Sequence, residues 1–130
     1  MEVIPVAIKL NLKRRKVMSE SGFTDEQKLK AWRKASSVPH YDSDRYRKDV
    51  AGAWIEWGKY GDTDSELGLG WEIDHRKPLA KGGTNDDSNL RAMQWRNNRS
   101  KDDDYPVWDS LITSEGNHNT EKAQRWRESD

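Results

Sequence analysis

Residues 71–101 change their periodicity in an order that restricts the stretch to strand, loop, strand and helix. Trp71-Glu-Ile-Asp-His75 alternates apolar and polar side chains, so Trp71 and Ile73 share one face of a strand and Glu72 and Asp74 the other. Pro78 and the Gly82-Gly83 pair punctuate a loop over 76–88. Leu90 to Met93 is short and apolar enough for a returning strand. A helix is expected from about Gln94 to Lys101, stopped by Asp102-Asp-Asp-Tyr-Pro106.

This order brings the end of the first strand beside one face of the helix, so Asp74 and Asn98 are expected to share a cation. Both offer hard oxygens, which suit Mg²⁺ or Mn²⁺ and leave coordination positions for water and a phosphate oxygen. Such an ion stabilises charge developing on a scissile phosphate and its leaving oxygen. His75 points to the opposite side of the strand from Asp74. An imidazole ordinarily titrates near neutrality, so His75 is the candidate general base for an attacking water. Asn89 is the natural clasp, because an amide can hydrogen-bond loop backbone with both its donor and its acceptor. Lys101 lies three residues after Asn98 on the same helical face, within reach of a phosphate. Arg96 and Arg99 project near that face as candidate contacts to a DNA backbone.

The segment from Trp71 to Pro106 resembles the HNH endonuclease superfamily, the ββα-metal nucleases. Asp74-His75, Pro78, Gly82-Gly83, Asn89-Leu90 and Asn98-x-x-Lys101 carry the resemblance, which covers about a quarter to a third of the chain. The Asp-His and Asn-Arg-x-Lys pattern is similar to the HNH domain of RNA-guided nucleases, where asparagine likewise replaces the last histidine. The resemblance implies His75 as general base, Asp74 and Asn98 as metal ligands, Asn89 as the loop-holding middle residue, and one divalent cation, Mg²⁺ foremost. It implies an α+β fold: a ββα-metal core over 70–106 with flanking helices and an additional N-terminal strand or hairpin. The rest of a single domain would comprise an extension over 1–22, an upstream helix and hairpin over 23–60, and a C-terminal segment over 107–130. Arg47-Lys-Asp-Val-Ala-Gly-Ala-Trp-Ile55 looks like the upstream hairpin of cysteine-free bacterial members. Many HNH domains carry two Cys-x-x-Cys pairs around a structural zinc. Here Gln94 and Asn97 stand where the second pair would be and the chain has no Cys, so a zinc ribbon is excluded.

Composition narrows the rest. A chain of 130 residues with 32% hydrophobic and 35% charged residues fits one domain with a modest core. Seven Trp compensate, with Trp71 and Trp95 expected in that core. Without Cys nothing implies an oxidising compartment, no run approaches the length of a membrane span, and no signal-peptide pattern opens the chain, so a cytoplasmic protein is expected. Net charge is zero, so attraction to DNA must be local; Lys9 to Lys16, with its Lys13-Arg-Arg-Lys16 run, Arg45 to Lys48 and Arg91 to Lys101 are the candidate patches.

Elsewhere, Ile8, Leu10 and Leu12 alternate as in an edge strand, and Thr24-Asp-Glu-Gln27 is a capping box. The helix it opens should turn Leu29 and Trp32 to one side and end before Pro39. Tyr41 to Asp49 is expected to hold a helical turn, Val50 to Trp57 a strand, and Tyr60 to Gly70 a loop. Thr120 is placed to cap a short helix pointing Ala123 and Trp126 inward. His40 and His118 read as loop residues. Three functions compete: a DNA endonuclease, either of a phage or mobile element or a secreted antibacterial toxin with an immunity protein; a nucleic-acid-binding module without chemistry; and an interaction domain built on Trp packing.

Overall fold

The computed structural model describes residues 22–129. The strand expected at residues 7–13 and the Lys13-Arg-Arg-Lys16 run lie outside them. Helix α1, Asp25–Arg33, starts at the capping box: Thr24 Oγ1 accepts from the Gln27 N–H at 3.0 Å and Gln27 Oε1 accepts from the Thr24 N–H at 2.9 Å. It buries Ala31 and Trp32, whereas Leu29, expected inward, remains exposed.

Strands β1, Tyr46–Lys48, and β2, Trp54–Glu56, form a short antiparallel hairpin. Its strands are brief because Asp49 caps the turn between them, accepting from the Ala51 and Ala53 N–H groups at 2.9 Å each. The strand expected over Val50 to Trp57 therefore starts four residues late. Strands β3, Trp71–His75, and β4, Leu90–Gln94, pair antiparallel with His75 opposite Leu90 and Asp74 opposite Arg91. Helix α2, Trp95–Lys101, follows directly. Strands β5, Val107–Glu115, and β6, His118–Arg127, form the longest hairpin, folded back at Gly116, whose φ of 61° suits glycine.

The expected α+β architecture, a ββα-metal core with flanking helices, is corrected by this arrangement. The strands lie in three separate two-stranded antiparallel sheets, and the only α-helices among the described residues have nine and seven residues. No helix forms among the described residues after α2. Residues 107–115 turn Trp108, Ser110 and Ile112 inward in alternation, and Trp126 stacks on Trp108 across the hairpin at 6.1 Å between ring centroids. That cross-strand pair makes use of Trp126 in a way that a helical spacing of Ala123 and Trp126 cannot, and Ala123 is left exposed.

Trp32, Ile55, Trp71, Ile73, Leu90 and Ala92 form the main apolar cluster. Trp71 is its hub, with the rings of Tyr60, Trp32 and Trp57 centred 4.9, 5.3 and 5.7 Å away in tilted or edge-on geometry. A buried aromatic of this size removes about 150–250 Å² from water, roughly 4–6 kcal/mol before ordering costs, so few residues suffice for a chain this polar. Trp95, expected in the core, is half-buried and hydrogen-bonds the Ser65 carbonyl. Trp32, Trp54 and Trp108 are buried along with Trp71.

A second, polar centre joins the hairpins. Asp49 Oδ2 accepts from the Gln94 N–H at 3.0 Å and from Asn97 Nδ2 at 3.1 Å. Asn97 Oδ1 accepts from the Leu111 and Ile112 N–H groups, and Asn97 Nδ2 donates to the Ile112 carbonyl. Gln94 Oε1 caps α2 by accepting from the Arg96 and Asn97 N–H groups. All three side chains are buried. Gln94 and Asn97 thus form with Asp49 a hydrogen-bonded knot that ties β4, α2 and β5 together. Among the described residues no helix is long and apolar enough to cross a membrane.

Candidate active site

The site lies where β3 ends, under α2 and beside the loop that returns to β4. The loop is closed by Asn89. Its Oδ1 accepts from the Lys77 N–H at 2.8 Å, and its Nδ2 donates to the carbonyls of Lys77 at 2.9 Å and Thr84 at 2.7 Å. One amide side chain therefore replaces a strand neighbour for Lys77 and holds the far side of the loop as well. The glycine pair permits this approach: Gly82 adopts φ 93°, and a Cβ at Gly83 would lie 1.8 Å from the Lys77 carbonyl oxygen. Asn89→Ala leaves the Lys77 N–H and carbonyl without their partner, so a loss of about 1–3 kcal/mol is expected in urea unfolding. Gly83→Ala should disturb the loop still more, and wild-type stability in both variants would refute the clasp.

His75 follows from the last turn of the β3 pleat and is half-buried. Phe23 packs against its ring at 5.8 Å, and Asn85 Oδ1 lies 2.7 Å from its Nε2. Among the described residues no side chain or backbone group hydrogen-bonds Nδ1. Sequence reasoning missed Asn85 and Phe23; neither belongs to a recognisable motif, and Phe23 lies far from His75 along the chain.

On the other face of β3 the pairing differs from expectation. Asn98 does not meet Asp74: its Nδ2 donates to Glu72 Oε1 at 3.0 Å. Arg99 grips the same carboxylate with two hydrogen bonds, at 2.6 and 3.1 Å. Lys101, one turn later, meets Asp74, with Nζ 3.1 Å from Oδ1 and 2.9 Å from the His75 carbonyl oxygen. Helix α2 therefore covers Glu72 and Asp74 as two successive rungs, which in a strand lie roughly 6–7 Å apart. Asp74 Oδ2 accepts from Arg91 Nε at 2.8 Å, and Arg91 in turn pairs with Glu128 at 2.6 Å, beyond the end of β6. Burial pushes the Asp74 carboxyl up, while Arg91 and then Lys101 pull it back toward the ionised form.

Three expected contacts with DNA are thereby corrected or qualified. Lys101 is fully buried and offers no surface to a phosphate in this arrangement, because it neutralises Asp74. Arg96 pairs with Glu121 at 3.0 Å and Glu66 at 3.6 Å. Arg99 is exposed but is engaged by Glu72.

Two carboxylates, Glu72 and Asp74, and the Asn98 amide share the β3–α2 seam, and Asp74 with the His75 carbonyl cradles one positive charge, the Lys101 ammonium. An ion at Asp74 requires that ammonium to move. No three His, Cys, Asp or Glu side chains converge to hold a metal ion among the described residues, the β3–α2 seam included. Comparison with protein-family models, curated proteins and solved structures finds no match to this chain.

Proposed function

We propose that the chain is a metal-dependent endonuclease of the HNH type, hydrolysing phosphodiester bonds in DNA with His75 as general base. The observation that carries this reading is the presentation of His75: an imidazole at a strand end, held at Nε2, with its loop fastened by the three side-chain hydrogen bonds of Asn89. A base so oriented loses little freedom when it takes a proton from water at Nδ1. Asp74 and Asn98 are the residues to hold the cation, with Glu72 beside them. Once bound, it would supply charge stabilisation at the phosphate and leaving oxygen. Arg91 and Glu128 keep the Asp74 carboxylate in place from behind. Arg99 is an exposed cation at this seam that can meet a phosphate once it exchanges Glu72 for DNA.

A second reading, a nucleic-acid-binding module without chemistry, is favoured by one observation: both Asp74 oxygens are taken by cations of the chain itself. Supercoiled plasmid incubated with the protein and Mg²⁺, Mn²⁺ or chelator separates the two. Metal-dependent nicking is expected; DNA binding without nicking in either metal would favour the module. Asp74→Asn and Asn98→Ala should both lower cleavage strongly and raise the Mg²⁺ concentration it needs. A variant cleaving at wild-type rate in low Mg²⁺ removes that residue from the ligand set.

A further inference from the structure

We infer that Asn85 is a positioning residue for His75, fixing the imidazole tautomer that leaves Nδ1 as the proton-accepting atom; the inference rests on the nuclease reading for its catalytic consequence. An amide oxygen only accepts, so Asn85 Oδ1 at 2.7 Å requires the hydrogen to sit on Nε2. The lone pair is then on Nδ1, for which no described residue competes. The other tautomer would place a lone pair against the Asn85 oxygen and a hydrogen where a proton must be received.

Asn85 is itself held by the loop clasp. Asn89 Nδ2 donates to the carbonyl of Thr84, the residue immediately before it, and the Asn89 N–H donates to the Asp86 carbonyl, immediately after it. The loop's polar contacts thus lead from Asn89 through residues 84–86 to Asn85 and His75. This gives the clasp a chemical purpose beyond closing the loop: it determines which ring nitrogen is basic. Asn85 is a neutral partner, so it orients the ring without adding a charge beside the phosphate path. Phe23 covers the ring and restricts its rotation without offering a competing polar atom.

The test uses the full chain and two readouts. ¹⁵N-resolved NMR of the His75 ring, at a pH above about 8 where an imidazole is neutral, reports the tautomer without any turnover. The wild type is expected to hold the hydrogen on Nε2. Asn85→Ala should lose that preference, and Asn85→Asp, which retains an acceptor oxygen, should keep it. In plasmid cleavage at the same pH, Asn85→Ala should lower kcat about 10- to 100-fold, within what a general base contributes, while KM for DNA stays within a factor of about two. Asn85→Asp should recover part of the rate, its added negative charge beside the phosphate path keeping it below wild type. A wild-type ring with hydrogen on Nδ1, or a mixture unchanged by Asn85→Ala, would overturn the inference. So would an Asn85→Ala variant that shifts the tautomer yet cleaves at the wild-type rate. A ring fixed by Asn85 in a wild-type protein that cleaves nothing supports the positioning and refutes the nuclease reading alone.

Discussion

Replacing His75 by alanine is expected to remove DNA cleavage, by about 10²- to 10⁴-fold or more, and to leave the fold and DNA affinity nearly unchanged. The side chain is half-buried at a strand end and its one hydrogen bond among the described residues runs to an exposed loop side chain, so little stability is at stake. Its backbone carbonyl, which holds Lys101, survives the substitution. The check is plasmid nicking under Mg²⁺ and Mn²⁺ beside circular dichroism and a salt-dependent binding isotherm. A variant that nicks at the wild-type rate would rule out His75 as the base, and one that fails to fold would assign it a structural role.

Asp49→Ala should have the largest effect on stability. The Asp49 carboxylate is buried and accepts from the backbone of Ala51, Ala53 and Gln94 and from the side chain of Asn97. Burial pushes this carboxyl up, and its hydrogen bonds, that from Asn97 first, favour the charged form. Alanine would strand four buried donors, each with a desolvation cost of about 1–3 kcal/mol when unmatched, less whatever water recovers. A loss of at least about 3 kcal/mol is therefore expected in denaturant unfolding, a large fraction of the stability of a small domain. Asn is no rescue, since its Nδ2 would face the Gln94 N–H and the Asn97 amide group, donor against donor. A loss below about 1 kcal/mol would show that the knot is dispensable and that the Trp71 cluster holds the hairpins alone.

Much of the local structure was legible in the sequence, because it depends on neighbours a few residues away. The Thr24–Gln27 box starts α1, Trp71 to His75 alternates as a strand, Gly82-Gly83 marks the loop, and Asn89 clasps it. The C-terminus misled: Ala123 and Trp126 have helical spacing, but residues 107–115 offer a strand to pair with, and a cross-strand Trp stack outweighs a weak helical signal. The expected overall architecture failed with it, as the helices stayed short and the strands paired two by two.

By itself the sequence determined the elements around the site and the order in which Asp74, His75, Asn89, Asn98 and Lys101 arrive there. Only the tertiary structure decided the partner of each polar group. Asn98 meets Glu72, Lys101 meets Asp74, Arg91 is shared between Asp74 and Glu128, and Asn85 meets His75. A buried charge or amide takes whichever complementary group closes over it, and that group comes from an element distant in the chain, where no local periodicity points.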